Sequence, residues 1–315
     1  MTLRIVDRPT PSDFDLALAA VHAHLQPTPI VPTDGGFLKL ECLSPAGSFK
    51  IRGALAALTA LPDEARRAGV VTASAGNHAL GVLHAAALLG VEATVVVPET
   101  ASAAKVGMLK RLGGTLVQYG ENYDAAEQHA LGLAAGGATF LSAYNDPHVI
   151  AGQATIGPEL RSAVEGPMTV VVPAGGGGLL AGLALWAAGE PDVTIIGVET
   201  AASRGLSVAV EAGKVVPVEV GPTLADGLAG NLEPGSVTAT IVAAQMTPLV
   251  AVDEREIRAG IRFLAEQHGL VVEGSGAAAV AAQLAGKVPS GAPFVHIVSG
   301  RNIAVPTFLD VLAEG

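Results

Sequence analysis

The 315-residue sequence contains a single cysteine, Cys42, which excludes an intrachain disulfide and a thiolate zinc cluster. This scarcity is typical of a reducing compartment, and we expect a cytoplasmic protein. Basic residues are also few: 18 lysines and arginines against 29 aspartates and glutamates give a net charge of -11, which disfavours nucleic-acid and anionic-membrane partners. The sequence lacks an uncharged apolar run long enough to span a membrane, and its N-terminus lacks the pattern of a signal peptide.

Short β-branched runs alternate with longer stretches rich in alanine and leucine. The β-branched runs lie at 70–74, 93–98, 115–119, 168–173, 193–199, 248–252 and 294–299. Because these runs are continuously apolar, they predict strands buried on both faces of parallel sheets. Helices are predicted at 77–90 and 253–269, the second with Asp253 as its cap and Glu256 closing a capping box. The pattern indicates an α/β fold with two doubly wound lobes and mainly parallel sheets.

Three unusual loops follow predicted strands: SAGNH at 74–78, AGGGGLLAG at 174–182 and SGRNI at 299–303. In parallel sheets, ligands bind at the carboxyl ends of the strands, where helix N-termini face them. The glycines at 175–178 precede a predicted helix, so they favour a close-fitting anion cradle. This run matches neither the dinucleotide fingerprint nor a phosphate-binding loop that ends in Lys-Ser or Lys-Thr. A small phosphorylated cofactor is the ligand that fits this loop.

Lys50 stands in the stretch AGSFKIRG at 46–53, after a turn signal and at the start of an alanine-rich predicted helix. From this stretch alone, a structural role and a chemical role for Lys50 both stay open.

The sequence resembles the fold-type II pyridoxal-phosphate enzymes, and in particular the serine/threonine dehydratases and serine racemases, a fold like that of the tryptophan synthase β subunit. The resemblance rests on motifs that occur in the family order. They are PTPI (27–30), SFKIRGA (48–54), SAGNHA (74–79), AGQATIGPEL (151–160), GGGGLLAG (175–182), GVE (197–199), ADGLA (225–229) and SGRN (299–302).

This resemblance implies pyridoxal 5'-phosphate as the cofactor and gives roles to individual residues. Lys50 would bond covalently to the cofactor aldehyde and act as the catalytic base, with Phe49 behind the pyridine ring. Asn77 would bind the ring hydroxyl, and Ser299 would face the pyridine nitrogen. The remaining cofactor residues would be Gly175, Gly176, Gly177, Gly178 and Leu179 at the phosphate, together with Gly227. The substrate residues would be Ser74, Ala75, Asn77, His78 and Arg301.

The implied reaction is β-elimination of a 3-hydroxy amino acid, such as threonine or serine, to a 2-oxo acid and ammonia. The resemblance also implies a large domain of residues 1–68 and 146–315, a small domain of residues 69–145, a small amino-acid substrate and a homodimer. The short stretch after Asn302 leaves no room for a regulatory domain, so feedback control by isoleucine is not expected.

Several alternatives stay open. Serine racemases carry a second serine in the first loop, where this sequence has Ala75, so we expect little racemisation. A β-replacement enzyme, a binding protein that has lost the cofactor and an NAD-dependent oxidoreductase are less consistent with the motifs. Some relatives bind a divalent cation through a glutamate and a carboxylate six residues later, but Glu199 is followed by Gly205, and no metal site is expected.

Arg301 departs from the family, which usually has a second glycine at this position. A guanidinium is always charged and offers five donors, so it needs a partner. It would either turn outward to a carboxylate on the surface or at a subunit interface, or bind a polar group of the substrate. The second possibility would favour an acidic substrate such as 3-hydroxyaspartate.

Overall fold

The computed structural model describes residues 4–289 and 293–314. Two sheets organise the chain. The larger sheet has the order β1-β2-β10-β7-β8-β9 and the smaller has the order β5-β4-β3-β6. The strands are β1 Ile30–Thr33, β2 Gly36–Lys39, β3 Val70–Ala73, β4 Ala93–Val97, β5 Thr115–Gln118, β6 Thr139–Phe140, β7 Met168–Pro173, β8 Val193–Thr200, β9 Leu249–Val252 and β10 Phe294–Ile297.

Helices cover both sheets. They are α1 Pro11–His24, α2 Lys50–Ala60, α3 Asp63–Ala68, α4 Asn77–Leu89, α5 Ala103–Arg111, α6 Tyr123–Ala135, α7 Pro147–Ala154, α8 Ile156–Ala163, α9 Gly178–Ala187, α10 Gly205–Ala212, α11 Val237–Ala244, α12 Glu254–His268, α13 Gly274–Leu284 and α14 Val305–Ala313. Short 3-10 turns lie at Glu41–Leu43 and Asp226–Leu228.

The predicted parallel architecture is confirmed. Within the described residues, every strand pair is parallel except the hairpin of β1 and β2 at one edge of the larger sheet. That hairpin turns at Asp34 and Gly35, a dipeptide that favours tight hairpins because its glycine adopts a positive φ, here 86°. The strand runs are buried: all six residues of β7 and all four of β3 and of β10 are buried.

The core lies in layers on the faces of the sheets. One layer packs α12 and α13 against the larger sheet, and Ile257, Ile261 and Leu264 of α12 are completely buried in it. Asp253 caps α12 and Glu256 completes the predicted capping box. A second layer packs α9 and α11 against the opposite face, and a third packs α2 and α4 beside the smaller sheet. The amphipathic period of α12 therefore predicted its buried face correctly.

The strands of the smaller sheet all fall between residues 70 and 140, while the larger sheet takes its strands from 30–39 and 168–297. A small domain of residues 69–145 is a proposal that accords with this distribution. Among the described residues, no helix is both long and apolar enough to cross a membrane.

Candidate active site

A cavity of about 1380 Å³ is lined by residues from both sheets. Its walls include the three loops singled out in the sequence, which leave the carboxyl ends of β3, β7 and β10. The residues that the sequence placed at the site and that line this cavity are Phe49, Lys50, Ser74, Ala75, Asn77, His78, Gly175, Gly176, Gly177, Gly178, Leu179, Gly227 and Ser299. The fold thus brings residues from widely separated parts of the sequence to one place.

Lys50 is the first residue of α2, and its side chain is partly buried in the cavity wall. Its Nζ atom donates a 2.7 Å hydrogen bond to the carbonyl oxygen of Ala143 and lies 5.2 Å from the centre of the Phe49 ring. Burial lowers the Lys50 pKa to about 8, and the charge of Glu273 opposes that shift. Because the unprotonated amine is the nucleophile, this lysine is more reactive near neutral pH than an exposed one.

A buried ion network fixes the helix that carries Lys50. The Arg52 guanidinium donates to both carboxylate oxygens of Glu41 at 2.8 Å and to Glu159 at 2.6 and 2.8 Å. Lys39 also contacts Glu159 and donates to the carbonyl oxygen of Thr28 at 2.8 Å. The two cations and two carboxylates balance, which limits the cost of burying them. The network ties the start of α2 to β2 and α8.

The glycine run forms a narrow turn at the N-terminus of α9. Gly177 caps that helix with a φ of 84°, a conformation that other residues rarely adopt. A Cβ atom at Gly176 would overlap the Tyr144 ring, and one at Gly178 would lie 3.0 Å from Tyr144. Since the first N–H groups of a helix have no partner within it, this turn offers donors to an anion.

The N-terminus of α4 forms a second wall. The Ser74 hydroxyl oxygen accepts a 3.2 Å hydrogen bond from the backbone N–H of Gly76. The His78 ring is buried, with Nε2 3.1 Å from the carbonyl oxygen of Leu141, and burial together with the Lys50 charge lowers its pKa to about 3. The ring is therefore neutral, and Nε2 carries the hydrogen that it donates to Leu141. A charged His78 side chain cannot recognise a substrate carboxylate here, but the N–H groups that begin α4 can.

Two buried serines, Ser275 and Ser299, lie on the third wall. Ser299 is buried and donates a 3.3 Å hydrogen bond to the carbonyl oxygen of Ser275. The Ser275 side chain is only 3% exposed, and its hydroxyl has no hydrogen-bond partner among the described residues. A Cβ atom at Gly227 would come within 2.8 Å of that hydroxyl. A buried hydroxyl without a partner at a cavity wall is suited to a ligand that supplies one.

Arg301 does not line the cavity, and its side chain is exposed. Only its backbone N–H reaches inward, to the carbonyl oxygen of Gly47 at 2.9 Å. Among the described residues, none of the ion pairs includes its guanidinium. The structure thus does not bring Arg301 to the other predicted site residues.

Glu199 is buried and serves as a structural residue. Its carboxylate accepts hydrogen bonds from the backbone N–H groups of Leu206 and Ser207 and from the Ser207 hydroxyl. Burial nevertheless raises its pKa to about 7. Gly205 begins the helix whose N-terminus this carboxylate caps, so the oxygens of Glu199 are already used within the protein.

The sequence did not single out Glu273 or Tyr144, although both line the cavity. Glu273 is the N-cap of α13 and follows the apolar residues 270–272. A single carboxylate between an apolar run and a helix of small residues is the sequence pattern that could have indicated it. Tyr144 packs on the glycine run, and its hydroxyl accepts a 2.7 Å hydrogen bond from the Glu233 backbone. Nothing in the local sequence pattern around Tyr144 predicts that contact.

Residues 21–300 match the family model described as pyridoxal-phosphate dependent enzyme. The protein belongs to that family. The L-threonine ammonia-lyase of Thermotoga maritima is 41% identical over 281 residues, covering 89% of this chain and 70% of that protein. Two solved structures are also similar along nearly their whole length.

The first is maize serine racemase, with a TM-score of 0.89 and 31% identity, covering 98% of each chain. The second is the processed form of threonine deaminase isoform 2 from Solanum lycopersicum, with a TM-score of 0.87 and 31% identity, covering 98% of this chain and 96% of that one. Their coverage includes both sheets, so the two-sheet α/β fold of the protein is the fold of this family.

The residues of the cavity fit pyridoxal phosphate. The helix N-terminus at Gly177 suits a phosphate, Lys50 suits an aldehyde, and the hydroxyls of Ser275 and Ser299 suit a polar ring atom. Gly176 and Gly178 pack closely on Tyr144, which is possible only because neither residue has a Cβ atom.

Proposed function

We propose that this protein eliminates water from a 3-hydroxy amino acid such as threonine or serine, releasing a 2-oxo acid and ammonia. When bound, pyridoxal phosphate supplies the electron sink that stabilises the charge left on the α-carbon. The family membership and the relatives named for threonine ammonia-lyase and threonine deaminase support this reaction. The observation that carries it is Lys50: a partly buried amine with a pKa lowered to about 8, in one cavity with the glycine run at the N-terminus of α9.

Lys50 would perform two tasks in this proposal. Its Nζ atom would hold the cofactor through the aldehyde, and its free amine would act as the base for the α-proton of the substrate. A base works best when its pKa lies near the operating pH, and burial brings the Lys50 pKa toward that range. The Arg52 network holds the helix that carries the amine, so the base stays close to the proton it removes.

The other cofactor contacts follow from the chemistry of each wall. The N–H groups at Gly175 to Leu179 would bind the phosphate, and Phe49 would pack behind the ring. Asn77 would bind the ring hydroxyl through its amide, and Gly227 also lines the cavity. Ser299 would face the pyridine nitrogen, where its hydroxyl is too weak a base to keep that nitrogen protonated. A weaker electron sink of this kind suits loss of a β-hydroxyl.

The N-terminus of α4 would receive the substrate carboxylate through the Ser74 hydroxyl and the N–H groups of residues 75, 77 and 78, since the N–H of Gly76 already donates to Ser74. Asp124, Glu127 and Asp226 line the cavity together with Lys105 and Lys214, and Lys105 is paired with Asp226 at 2.8 Å. The lining therefore carries charges of both signs.

A substrate panel tests the proposal. Purified enzyme loaded with pyridoxal phosphate is offered both enantiomers of serine, threonine and 3-hydroxyaspartate, and the 2-oxo acid and the ammonia produced are measured. The two products should form in equal amounts. Threonine or serine should give the highest kcat/KM. If chiral chromatography shows inversion of serine without 2-oxo acid, the protein is a racemase. If 2-oxo acid is absent and a thiol replaces the β-substituent instead, it is a β-replacement enzyme.

The cytoplasmic location and the homodimer are further proposals, supported by the buried free thiol of Cys42, the scarcity of cysteine and the resemblance to the dehydratases. Light scattering coupled to size-exclusion chromatography tests the homodimer, and fractionation of cells of the source organism tests the location.

A further inference from the structure

Glu273 is a buried carboxylate in the cavity wall that has no role in the proposed reaction. Its side chain is 5% exposed, and it lines the cavity together with Lys50, Asn77 and Ser299. Among the residues that the structure describes, none of the ion pairs includes Glu273. A buried carboxylate without a paired cation is costly, and this cost is more often accepted at functional sites than elsewhere.

Glu273 is tied to the amide that is proposed to bind the cofactor ring hydroxyl. The Asn77 Nδ2 atom donates a 2.5 Å hydrogen bond to Glu273 Oε1. The Asn77 Oδ1 atom accepts a 2.7 Å hydrogen bond from Asn302 Nδ2, which also donates to the carbonyl oxygen of Ala46 at 3.0 Å. Since a backbone carbonyl can only accept, the orientation of the Asn302 amide is determined, and so is that of Asn77.

This orientation leaves one hydrogen of Asn77 Nδ2 uncommitted. The first N–H points to Glu273, and the oxygen is occupied by Asn302, so the second N–H is the group that Asn77 can present to a ligand. Without the carboxylate, the Asn77 amide would lose the partner that directs its Nδ2 atom. The position of the remaining N–H donor therefore depends on Glu273.

The backbone holds Glu273 against Asn77. A Cβ atom at Gly300 would overlap Glu273 Oε1 and lie 3.2 Å from Asn77 Nδ2, so the glycine lets the loop after β10 close over the pair. The Glu273 N–H also donates to the Gly300 carbonyl oxygen at 3.2 Å. The contact between Glu273 and Asn77 is thus enclosed by packed backbone.

Several charged groups influence Glu273. The pKa of Glu273 is raised to about 7, mainly by burial and also by the charge of Asp226, in the 3-10 turn. The N–H donors of Asn77 and Asn302 and the charge of Lys105, on α5, act in the opposite direction. The charge of Glu273 in turn raises the pKa of Lys50, on α2. The carboxylate and the amine therefore influence each other near neutral pH.

We propose that Glu273 is a positioning residue of the active site: it orients the Asn77 amide toward the cofactor ring. The inference rests on the proposed function, because it assigns Asn77 to the ring hydroxyl and Lys50 to the base.

The test compares Glu273→Gln with Glu273→Asp, Asn77→Ala and the double variant Glu273→Gln/Asn77→Ala. Glu266→Gln, an exposed glutamate on α12, is the matched control. Three properties are measured on protein loaded with pyridoxal phosphate: the visible absorption spectrum as a function of pH, kcat and KM for threonine or serine, and the pH profile of kcat/KM. Circular dichroism checks that each variant is folded.

We expect Glu273→Gln to lower kcat about 10²-fold with a smaller change in KM, because the glutamine amide has one acceptor oxygen for the two N–H donors, from Asn77 and Asn302, that face the carboxylate, so the Asn77 amide is misplaced. The pH-dependent change in the absorption spectrum should move to a lower pH, since the positive charge at Lys50 Nζ, which holds the cofactor, loses a stabilising negative charge. Glu273→Asp keeps the negative charge, but its side chain is too short to reach Asn77. This variant should therefore show the wild-type pH dependence of the absorption spectrum and a kcat as low as that of Glu273→Gln. Asn77→Ala should lower kcat similarly, and the double variant should fall little further, because both residues act in one path.

A Glu273→Gln variant with the wild-type kcat and the wild-type spectral pH dependence would overturn the proposal, as would fully additive effects in the double variant. If Glu273→Gln does not fold, Glu273→Asp and Asn77→Ala decide by the same criteria. If the wild type makes no 2-oxo acid, the proposed function fails, but the spectral pH dependence requires no turnover and still tests Glu273.

Discussion

The Nζ atom of Lys50 donates a 2.7 Å hydrogen bond to the carbonyl oxygen of Ala143. Lys50 begins α2, whereas Ala143 lies between β6 and α7, so the contact joins two segments far apart in the sequence. The next residue, Tyr144, packs on the glycine run. The short segment of Ala143 and Tyr144 therefore contacts both the Lys50 amine and the glycine run and fixes the distance between them. A site that binds two ends of one cofactor needs such a fixed distance.

Replacing Lys50 by alanine should abolish turnover and leave the fold intact. The substitution removes both the covalent attachment and the base, and a general base alone contributes about 10²–10⁴-fold to the rate. The measurement is 2-oxo acid production, combined with borohydride reduction and mass spectrometry of the labelled peptide. Lys110→Ala, at an exposed position of α5, is the control and should behave as the wild type. Substantial 2-oxo acid from the Lys50 variant would show that another residue is the base.

The phosphate cradle should tolerate no side chain at Gly176. The added methyl of Gly176→Ala would overlap the Tyr144 ring. Relief of the overlap must displace the glycine run from Tyr144 and thereby from the phosphate. Overpacking costs about 1–3 kcal/mol, and an equal loss of binding free energy would raise the Kd for pyridoxal phosphate roughly 5- to 150-fold. Fluorescence titration of cofactor-free protein measures that Kd. Gly132→Ala, at an exposed position of α6 with open space around it, is the control and should leave the Kd unchanged. Equal affinities in both variants would contradict a cradle at this turn.

The reaction of cofactor-free protein with pyridoxal phosphate should depend on pH through Lys50. Its pKa is lowered from the ordinary value to about 8, so the amine is protonated and unreactive below that pH. The rate should therefore rise about tenfold per pH unit up to about 8 and then level off, whereas an exposed lysine would continue to gain reactivity to about 10.4. Stopped-flow absorbance measures the rate. A rate still rising steeply well above pH 8 would mean that Lys50 is not desolvated.

The fold was predictable from the sequence because its strands are short, buried and bounded by glycine, proline or polar loops. The runs at 70–74 and 168–173 became β3 and β7 within one residue, and the three loops at the strand ends line one cavity. The hairpin of β1 and β2 was not identified, although Asp34 and Gly35 signal it. Local patterns fail where the partner lies far along the sequence: Glu273 contacts Asn77 across 196 positions.

Side-chain direction was the other property that the sequence did not determine. His78 was predicted to contact the substrate and lines the cavity, with its ring Nε2 3.1 Å from the carbonyl oxygen of Leu141, a contact that the sequence did not indicate. Motif spacing places a residue at a helix start, and the packing of neighbouring elements then decides whether the side chain or the backbone faces the ligand.

Introducing a hydroxyl at Ala75 should add racemisation to the reaction. Ala75 lines the cavity next to Ser74, and its methyl group can neither donate nor accept a proton. Ala75→Ser should convert one enantiomer of serine into the other faster than the wild type does, as measured by chiral chromatography. Ala135→Ser, at an exposed position of α6, is the control. Rapid racemisation by the wild type would show that another group already protonates the opposite face.

Replacing Arg301 should affect kcat/KM for all substrates to the same small extent. Its side chain is exposed and outside the cavity, and only its backbone N–H contacts the loop before α2, at Gly47. Arg301→Ala keeps that N–H, so kcat/KM for serine, threonine and 3-hydroxyaspartate should each stay within about threefold of the wild type, the range of surface substitutions. Arg111→Ala, at an exposed position of α5, is the matched control. A loss confined to 3-hydroxyaspartate would mean that the guanidinium turns into the cavity when substrate binds, and the acidic substrate would then be favoured.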